Sequence, residues 1–560
     1  MKLNQHILLT LTLTLLLNSP NLLWGQTSSS HPVTSSGKEF MVPKKEVNGK
    51  LIGQEDVLIQ EVVISDSGHQ YRRLDVGVSG TLEGWALKEQ LPMPQLVSAP
   101  EFVLIQGGHV GPRFHGTLRY EASKGMGMTL IYPEIEATWN RKLFITVHGA
   151  GGSFNQGTMK PWNEILDQSQ PLGDISKYER LMLDKGYAVA KTKRNAALLS
   201  GDYSVVLDDG EILTGKNVGK QPVLLVGFAQ LAENILEARL GQKPVRTYWY
   251  GHSGGGLNGR LVNYLQGNNI GADGQPVIDG FINDDSGEGL FLPIVEKDGQ
   301  DTLLLTEQER QRFVKTIEIA HLLYGDVPGN THRRDNANLP SWVAPVRIIN
   351  KRNNARILRD KGLGNKTRTY EVRGVSHSGD EYLAEGASGD ISISKLSRLM
   401  DGLIDVLDNW VENGVAPPPT KSDWMELGDV NSDGVNENQA IALPDVACPR
   451  GLYYPYPASR EGGGIGTTGF AAFDGKSLEP YDGRGIFVDM NLNRYLDYRE
   501  SLEQAWHRLG LLKPDERFTR STYRACVEDA VAKLQSENFI SARVAAMYIE
   551  EAEKDPLPGL

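Results

Sequence analysis

The stretch Val245-Arg246-Thr247-Tyr248-Trp249-Tyr250-Gly251-His252-Ser253-Gly254-Gly255-Gly256 decides how this chain is read. Val245, Thr247, Tyr248, Trp249 and Tyr250 are β-branched or aromatic, the composition of a buried strand. Beyond the glycines, Leu257, Leu261, Tyr264 and Leu265 recur at helical spacing. A serine between such a strand and such a helix stands on a sharp turn that pushes its hydroxyl out of the sheet. Neighbours without side chains let the backbone bend and a substrate approach. The stretch is therefore read as a nucleophile elbow with Ser253 at its apex. A glycine-rich turn with an incidental serine would lack the flanking strand and helix.

Two further stretches fit acyl transfer. Leu143-Phe144-Ile145-Thr146-Val147 is an apolar run of strand length that ends in His148-Gly149-Ala150-Gly151-Gly152-Ser153. A tetrahedral oxyanion needs two backbone N–H donors held in place before its charge develops. One is expected from Gly254, after the serine, and the other from Ala150 or Gly151, where small residues leave the amide accessible. Downstream, Thr369-Tyr370-Glu371-Val372 reads as a strand and runs into Gly374-Val375-Ser376-His377-Ser378-Gly379. An imidazole must take the serine proton and return it to the leaving group. His377, ending a late strand in a Gly/Ser-rich loop, is the expected base; His148 competes but fits the oxyanion loop better.

The carboxylate that orients the imidazole is read from Val277-Ile278-Asp279-Gly280-Phe281-Ile282, a strand that continues into Asn283-Asp284-Asp285. Asp285 is the first choice and Asp284 the alternative; both could instead cap a helix or solvate a loop. A later run, Val346-Arg347-Ile348-Ile349, reads as the penultimate strand, but only Asn350-Lys351-Arg352-Asn353-Asn354 follows it, and Asp360 lies several residues on. Asp380 and Glu381 stand close to His377 in sequence and are not first choices.

The 560 residues, 40% hydrophobic, allow two to four domains with sizeable cores, and a net charge of −12 argues against a nucleic-acid partner. Met1-Lys2 precedes an apolar run from Ile7 to Leu17, then Asn18-Ser19-Pro20 and a candidate cut after Gly25, which reads as a secretory signal peptide over 1–25; Trp24 and Leu23 beside that cut keep an uncleaved anchor as the alternative. The product is expected outside the cytoplasm, secreted or periplasmic, with no membrane span after cleavage. A Ser-rich mature terminus over 26–38 is expected to lack structure. Cys448 and Cys526 are the two cysteines, and in an oxidising compartment they are expected to pair.

Residues 39–140 carry short alternating strands with glycine turns, a β-rich lead-in. From 141 to 413 strand-like and helix-like runs alternate. An insertion at about 287–342 is read as a cap, with a charged helix-like piece from Glu307 to Leu323. Gly414 and Pro417-Pro418-Pro419 read as the end of a helix and a stiff linker over 414–420. The region 421–560 holds a different chemistry. Asp489, Asn491, Asn493, Asp497 and Glu500 occupy positions 1, 3, 5, 9 and 12 of an EF-hand-type loop, with Arg494 where glycine is usual. Asp429, Asn431, Asp433 and Gly434 make a partial second match, with Ala440 at position 12. A structural Ca²⁺ is expected there and no cofactor for catalysis; the rival reading is a polar turn that caps a helix.

Over about residues 100 to 413 the chain resembles the bacterial secreted α/β-hydrolase-domain family. The resemblance rests on Thr146-Val147-His148-Gly149-Ala150-Gly151-Gly152, on Gly251-His252-Ser253-Gly254-Gly255, on Gly374-Val375-Ser376-His377, and on Trp410-Val411-Glu412-Asn413-Gly414-Val415-Ala416-Pro417-Pro418. It implies an α/β fold with a mostly parallel central sheet flanked by helices, here with a cap insertion and a C-terminal EF-hand-like region. It carries the nucleophile onto Ser253 and the base onto His377, and the family's usual aspartate falls near Asn353. More distantly the chain is similar to tannases and feruloyl esterases. Those carry cysteines directly before serine and histidine, where this chain has His252 and Ser376, so membership in that group is not expected. The expectation is a secreted serine hydrolase of carboxylic esters, acting on a small-molecule or polymer-derived ester through Ser253, His377 and Asp285. A secreted peptidase or amidase and a non-catalytic binding module are the alternatives, and oligomeric state is open.

Overall fold

The apolar runs around the elbow become neighbouring parallel strands in a computed structural model of the chain. It describes residues 34–37, 46–47, 50–66, 68–87, 113–120, 127–148, 175–192, 204–207, 210, 212–214, 222–264, 269–271, 274–285, 294–297, 300–303, 311–322, 362–375, 379–380, 394–421, 440–455, 468–473, 475, 501–557 and 560. The antiparallel lead-in comprises β1 (Thr34–Gly37), β2 (Glu46–Val47), β3 (Lys50–Asp66), β4 (His69–Leu87), β5 (Arg113–Tyr120) and β6 (Gly127–Pro133). The alternating part follows with β7 (Lys142–His148), helix α1 (Lys177–Asp184), β8 (Ala188–Thr192), β9 (Ser204–Leu207), β10 (Ile212–Thr214), helix α2 (Pro222–Leu240), β11 (Arg246–His252), helix α3 (Gly254–Tyr264) and β12 (Gly280–Asp284). A small hairpin, β13 (Ile294–Lys297) and β14 (Gln300–Leu303), precedes β15 (Lys315–Leu322) and β16 (Thr367–Arg373). Helix α4 (Leu396–Asn413) closes this part.

The sheet runs β10-β9-β5-β4-β6-β8-β7-β11-β12-β15-β16, with β1, β2 and β3 attached beside β4. From β8 to β16 every pairing is parallel. Side chains alternate between its two faces, as a period of two requires. Phe144, Val189, Tyr248, Tyr250 and Ile282 enter one core with α1 and α4. Leu143, Ile145, Ala190, Trp249 and Phe281 enter the other with α2. Burial on both faces explains why these strands read as continuous apolar runs. Helix α2 begins at Pro222, whose fixed φ suits a first turn, and lays Leu225, Phe228, Leu231, Ile235 and Leu236 on the sheet. The end of α4 is also as expected: Gly414 takes φ 70° and its amide closes on Trp410 O at 3.1 Å.

Strand β15 corrects the cap expectation. Lys315–Leu322 is not part of a helical piece from Glu307 to Leu323; it is the penultimate core strand, between β12 and β16. Thr316, Ile317 and Ile319 supply β-branched bulk, while the polar Glu318 and His321 are buried and find partners inside the fold. Part of the expected cap at 287–342 is therefore central sheet. The run Val346–Ile349, expected as that strand, lies outside the described residues.

The segment after Gly414 is no free linker. Tyr370 Oη donates to Pro418 O at 2.8 Å, and Lys421 and Ile441 make parallel bridges to Tyr370 and Val372 along the outer edge of β16. The C-terminal region adds helices α5 (Pro444–Ala447), α6 (Leu502–Arg508), α7 (Arg520–Ser536) and α8 (Ala542–Lys554), with a hairpin of β17 (Gly451–Pro455) and β18 (Thr468–Ala472). Trp506, Val527, Phe539, Val544 and Tyr548 share one apolar core with Leu399, Leu403 and Leu407 of α4. Gly402 of α4 lets the chain at Phe539 come close, since a Cβ there would stand 2.8 Å from Phe539 C. Asp401 accepts from Ser541 Oγ (2.8 Å) and Arg543 (2.9 Å), and Glu551 pairs with Lys395 and Arg398. The expected disulfide is present: Cys448 and Cys526 are joined across 78 positions with Cα atoms 5.9 Å apart, tying α7 to the chain just after α5. Among the described residues no helix is long and apolar enough to cross a membrane. The signal peptide, Ala150, Gly151, His377, Asp489 to Glu500 and Asp429 to Gly434 lie outside the described residues.

Candidate functional site

The geometry of the elbow follows from its glycines. Strand β11 ends at His252, Ser253 turns with φ 55°, and α3 starts at Gly254. A left-handed φ at a non-glycine costs on the order of 1–3 kcal/mol and persists only where neighbours enforce it. One enforcing contact is the hydrogen bond from Ser253 N to Asp284 O, 2.9 Å. Another is the close packing of α3 against β11: a Cβ on Gly251 would lie 2.5 Å from the carbonyl carbon and oxygen of Gly255. Only glycine at 251 allows the helix to begin so near the strand. The Gly254 amide then belongs to the first turn of α3, whose amides lack acceptors within the helix and favour negative charge.

Strand β12 ends beside this turn, with Asp284 paired in register with His252. Asp284 is fully buried, and among the described residues its carboxylate is shared by three side chains. Oδ2 lies 3.0 Å from His252 Nδ1 and accepts from Tyr250 Oη at 3.0 Å, while Oδ1 lies 2.7 Å from His321 Nε2. Burial by itself pushes a carboxyl up, but His321 and His252 more than offset it and hold Asp284 well below the usual carboxylate range. An ionised carboxylate only accepts, so His252 Nδ1 and His321 Nε2 are the ring nitrogens placed to donate to it. Asp285 follows with φ 37°; its amide donates to Ile319 O at 2.9 Å and its Oδ1 accepts from His321 N at 3.0 Å. One layer deeper, Arg260 of α3 grips Glu318 of β15 through two bonds, 3.1 and 2.6 Å, and Asn283 donates to the same carboxylate at 2.9 Å.

The strands that precede the two remaining expected elements are β7 and β16. Strand β7 lies parallel to β11 with His148 in register with His252, so β7 ends beside the elbow strand. Strand β16 ends at Arg373, followed by Gly374 at φ 68° and the buried Val375. After the three positions around His377, the chain is described again at Gly379, with φ 52°, and Asp380. Asp380 Oδ1 accepts from Ser397 N (2.8 Å) and Oδ2 from Ser397 Oγ (2.6 Å), with Lys177 Nζ at 3.3 Å. It thus caps the start of α4. Of the expected site residues, the fold brings Ser253, Gly254, Asp284 and Asp285 together. His252 and His321 were not anticipated. The only signal was an imidazole beside the serine and another at the end of an apolar run. Among the described residues no cluster of His, Cys, Asp and Glu has the arrangement of a metal site.

The alpha/beta hydrolase domain family matches residues 228–550, more than half of the chain, from α2 through the elbow to α8. The chain belongs to that family. No curated protein matches it. Among solved structures, it is similar to the poly(3-hydroxybutyrate) depolymerase LpqC from Bordetella parapertussis, at 15% identity over 55% of this chain and 93% of that one, with a TM-score of 0.30. Est1E from Butyrivibrio proteoclasticus gives 12% identity over 45% and 87%, with a TM-score of 0.21. A fungal esterase from Rhizomucor miehei gives 9% over 65% and 87%, with a TM-score of 0.31. The hydrolase match also takes in the C-terminal helices, consistent with the core they share with α4.

Proposed function

We propose that this hydrolase is a secreted serine esterase. The observation that carries the reading is Ser253 at φ 55° between β11 and α3, the backbone state that a strand-to-helix elbow imposes on its nucleophile. In the proposed cycle Ser253 Oγ attacks the acyl carbon while His377 takes its proton, and the amides of Gly254 and of Ala150 or Gly151 hold the oxyanion. Collapse breaks the ester C–O bond, and His377 passes its proton to the departing alcohol. Water, deprotonated by the same imidazole, then frees the acid and restores the serine. An ester is preferred over an amide because an alkoxide needs less help to leave than an amide anion, which must be protonated first.

The orienting carboxylate is assigned to Asp285. A second reading, Asp326, is supported by the strand order. With β15 as the penultimate strand, the first carboxylate downstream of it in sequence is Asp326. Neighbouring strands are about 4.8 Å apart, so β15 lies one spacing from β16, the strand that precedes His377 in sequence, and β12 lies two. The Cys448–Cys526 disulfide supports the secreted location. Structural Ca²⁺ on Asp489, Asn491, Asn493, Asp497 and Glu500 remains part of the proposal, and a melting temperature lowered by a calcium chelator would support it.

Chromogenic ester and anilide substrates offered side by side to wild type, Ser253→Ala, His377→Ala, Asp285→Asn and Asp326→Asn test the reading. Ester turnover lost in the first two variants, and in one of the two aspartate variants, is expected. Preferential anilide cleavage would favour a peptidase, and no turnover at all a binding module.

A further inference from the structure

The histidine that precedes the nucleophile is held from below, and so is the nucleophile's own amide, by one residue. Asp284 meets the elbow twice: its carbonyl accepts from Ser253 N at 2.9 Å and its Oδ2 engages His252 Nδ1 at 3.0 Å. Its second oxygen is anchored on the next strand, 2.7 Å from His321 Nε2. That imidazole is fixed in turn, because the His321 amide donates to Asp285 Oδ1 at 3.0 Å and its Nδ1 lies 3.9 Å from Asp285 Oδ2. The ends of β11, β12 and β15 are stitched together across this one carboxylate. His252, Asp284, Asp285 and His321 are each less than 8% exposed, so water does not compete for these bonds.

A carboxylate already shared by His252, His321 and Tyr250 is poorly placed to serve a histidine arriving from another loop. It is well placed to hold a strained turn. Ser253 carries its left-handed φ at a cost that something must offset, and a displacement of about 1 Å at a reacting atom can slow a reaction about 100-fold. We propose that Asp284 is a positioning residue: bridging His252 and His321, it fixes the elbow so that Ser253 Oγ is held ready for attack, and it is not the acid of the catalytic triad. This rests on the serine-hydrolase reading above.

The rate constant for inactivation by a fluorophosphonate probe, separated from the probe's apparent dissociation constant and followed against pH, tests the proposal on the full chain. In Asp284→Asn, one imidazole faces an amide N–H instead of an acceptor. The inactivation rate constant is expected to fall about 10- to 100-fold, with the probe's dissociation constant changed less than about threefold. The pH of half-maximal rate should stay where wild type has it, because the acid that serves His377 is untouched. Among the described residues the groups facing Asp284 are His252, His321 and Tyr250, with the Arg260–Glu318 pair one layer on; none of these belongs to the proposed proton path, and Asp285, the assigned acid, meets this set through His321.

A fall of about 10⁴-fold with a displaced pH profile would make Asp284 the triad acid and overturn the proposal, as would an unchanged rate. Should Asp284→Asn not fold, His321→Leu and His321→Gln take its place. Gln can still donate to Oδ1 and should react within about threefold of wild type, whereas Leu cannot and should react about tenfold more slowly. Equal rates in the two would overturn the proposal. Wild type that fails to react at all defeats the serine reading itself, a result distinct from any of these.

Discussion

The backbone amide of Ser253 donates to the carbonyl oxygen of Asp284 at 2.9 Å, so the turn that carries the proposed nucleophile is tied to the end of the adjacent strand. That strand end is buried, charged and braced by two imidazoles. The elbow's geometry is thus a property of three strands and a helix together, and its weak points are predictable.

The first is Gly251. A methyl group there would stand 2.5 Å from the Gly255 carbonyl and from the Trp249 indole nitrogen, and neither backbone nor buried indole can yield cheaply. Gly251→Ala should destabilise the fold by about 1–3 kcal/mol and move α3 relative to β11. A urea denaturation midpoint below wild type, with hydrolytic activity reduced under conditions where the variant is folded, is the expected result.

A second concerns the ion pair beneath the elbow. Arg260 and Glu318 are 3% and 6% exposed, so removing one partner leaves the other's charge in a poorly solvated place. Glu318→Leu should cost about 3–5 kcal/mol, and Arg260→Met combined with Glu318→Leu should recover most of that loss. Chemical denaturation of the single and double variants measures both, and a double variant no better than the single would show that the pair's energy lies in its geometry.

How far the sequence revealed this depends on where each signal resides. The elbow was legible because its parts are local: a β-branched and aromatic strand, glycines, and apolar residues at helical spacing within twenty positions of Ser253. Strand β15 was not. Glu318 and His321 interrupt its apolar pattern, and what makes them tolerable in a buried strand is Arg260 on α3 and Asp284 on β12, both distant in sequence. The same holds for residues 414–421. Pro417-Pro418-Pro419 suggests a spacer by composition, yet the segment is drawn onto the edge of β16 by Tyr370 and Lys421. The cysteine pairing was legible by count alone; that it joins helices packed on α4 was not.

The disulfide should matter to stability more than to chemistry. By the loop-entropy account, a bridge spanning 78 positions contributes about 4 kcal/mol. Cys448→Ser with Cys526→Ser should lower the denaturation midpoint accordingly while the folded variant retains catalytic turnover. A loss of turnover without a loss of stability would place the C-terminal helices in the catalytic apparatus.

Stability should also vary with pH through Asp279. Burial pushes its carboxyl from 3.8 up to about 6, against the pull of the Thr247 amide and Arg246. The folded state therefore holds this proton more tightly than the unfolded chain. Its contribution is fully present below about pH 4 and is lost as pH rises through 6. Asp284, held low, acts in the opposite sense: its contribution is present above about pH 4 and is lost as pH falls further. Denaturation midpoints of wild type and Asp279→Asn between pH 4 and 7 should converge at the acid end, with the variant more stable at pH 7. Curves that stay parallel would remove Asp279 as the cause.

The central claim is that Ser253 is the nucleophile, and covalent trapping tests it most directly. The folded protein is incubated with a fluorophosphonate, digested, and its peptides weighed. One equivalent of phosphonyl mass is expected on the peptide that contains Ser253, and none in Ser253→Ala. An adduct on a different residue, or no adduct on folded wild-type protein, would contradict it.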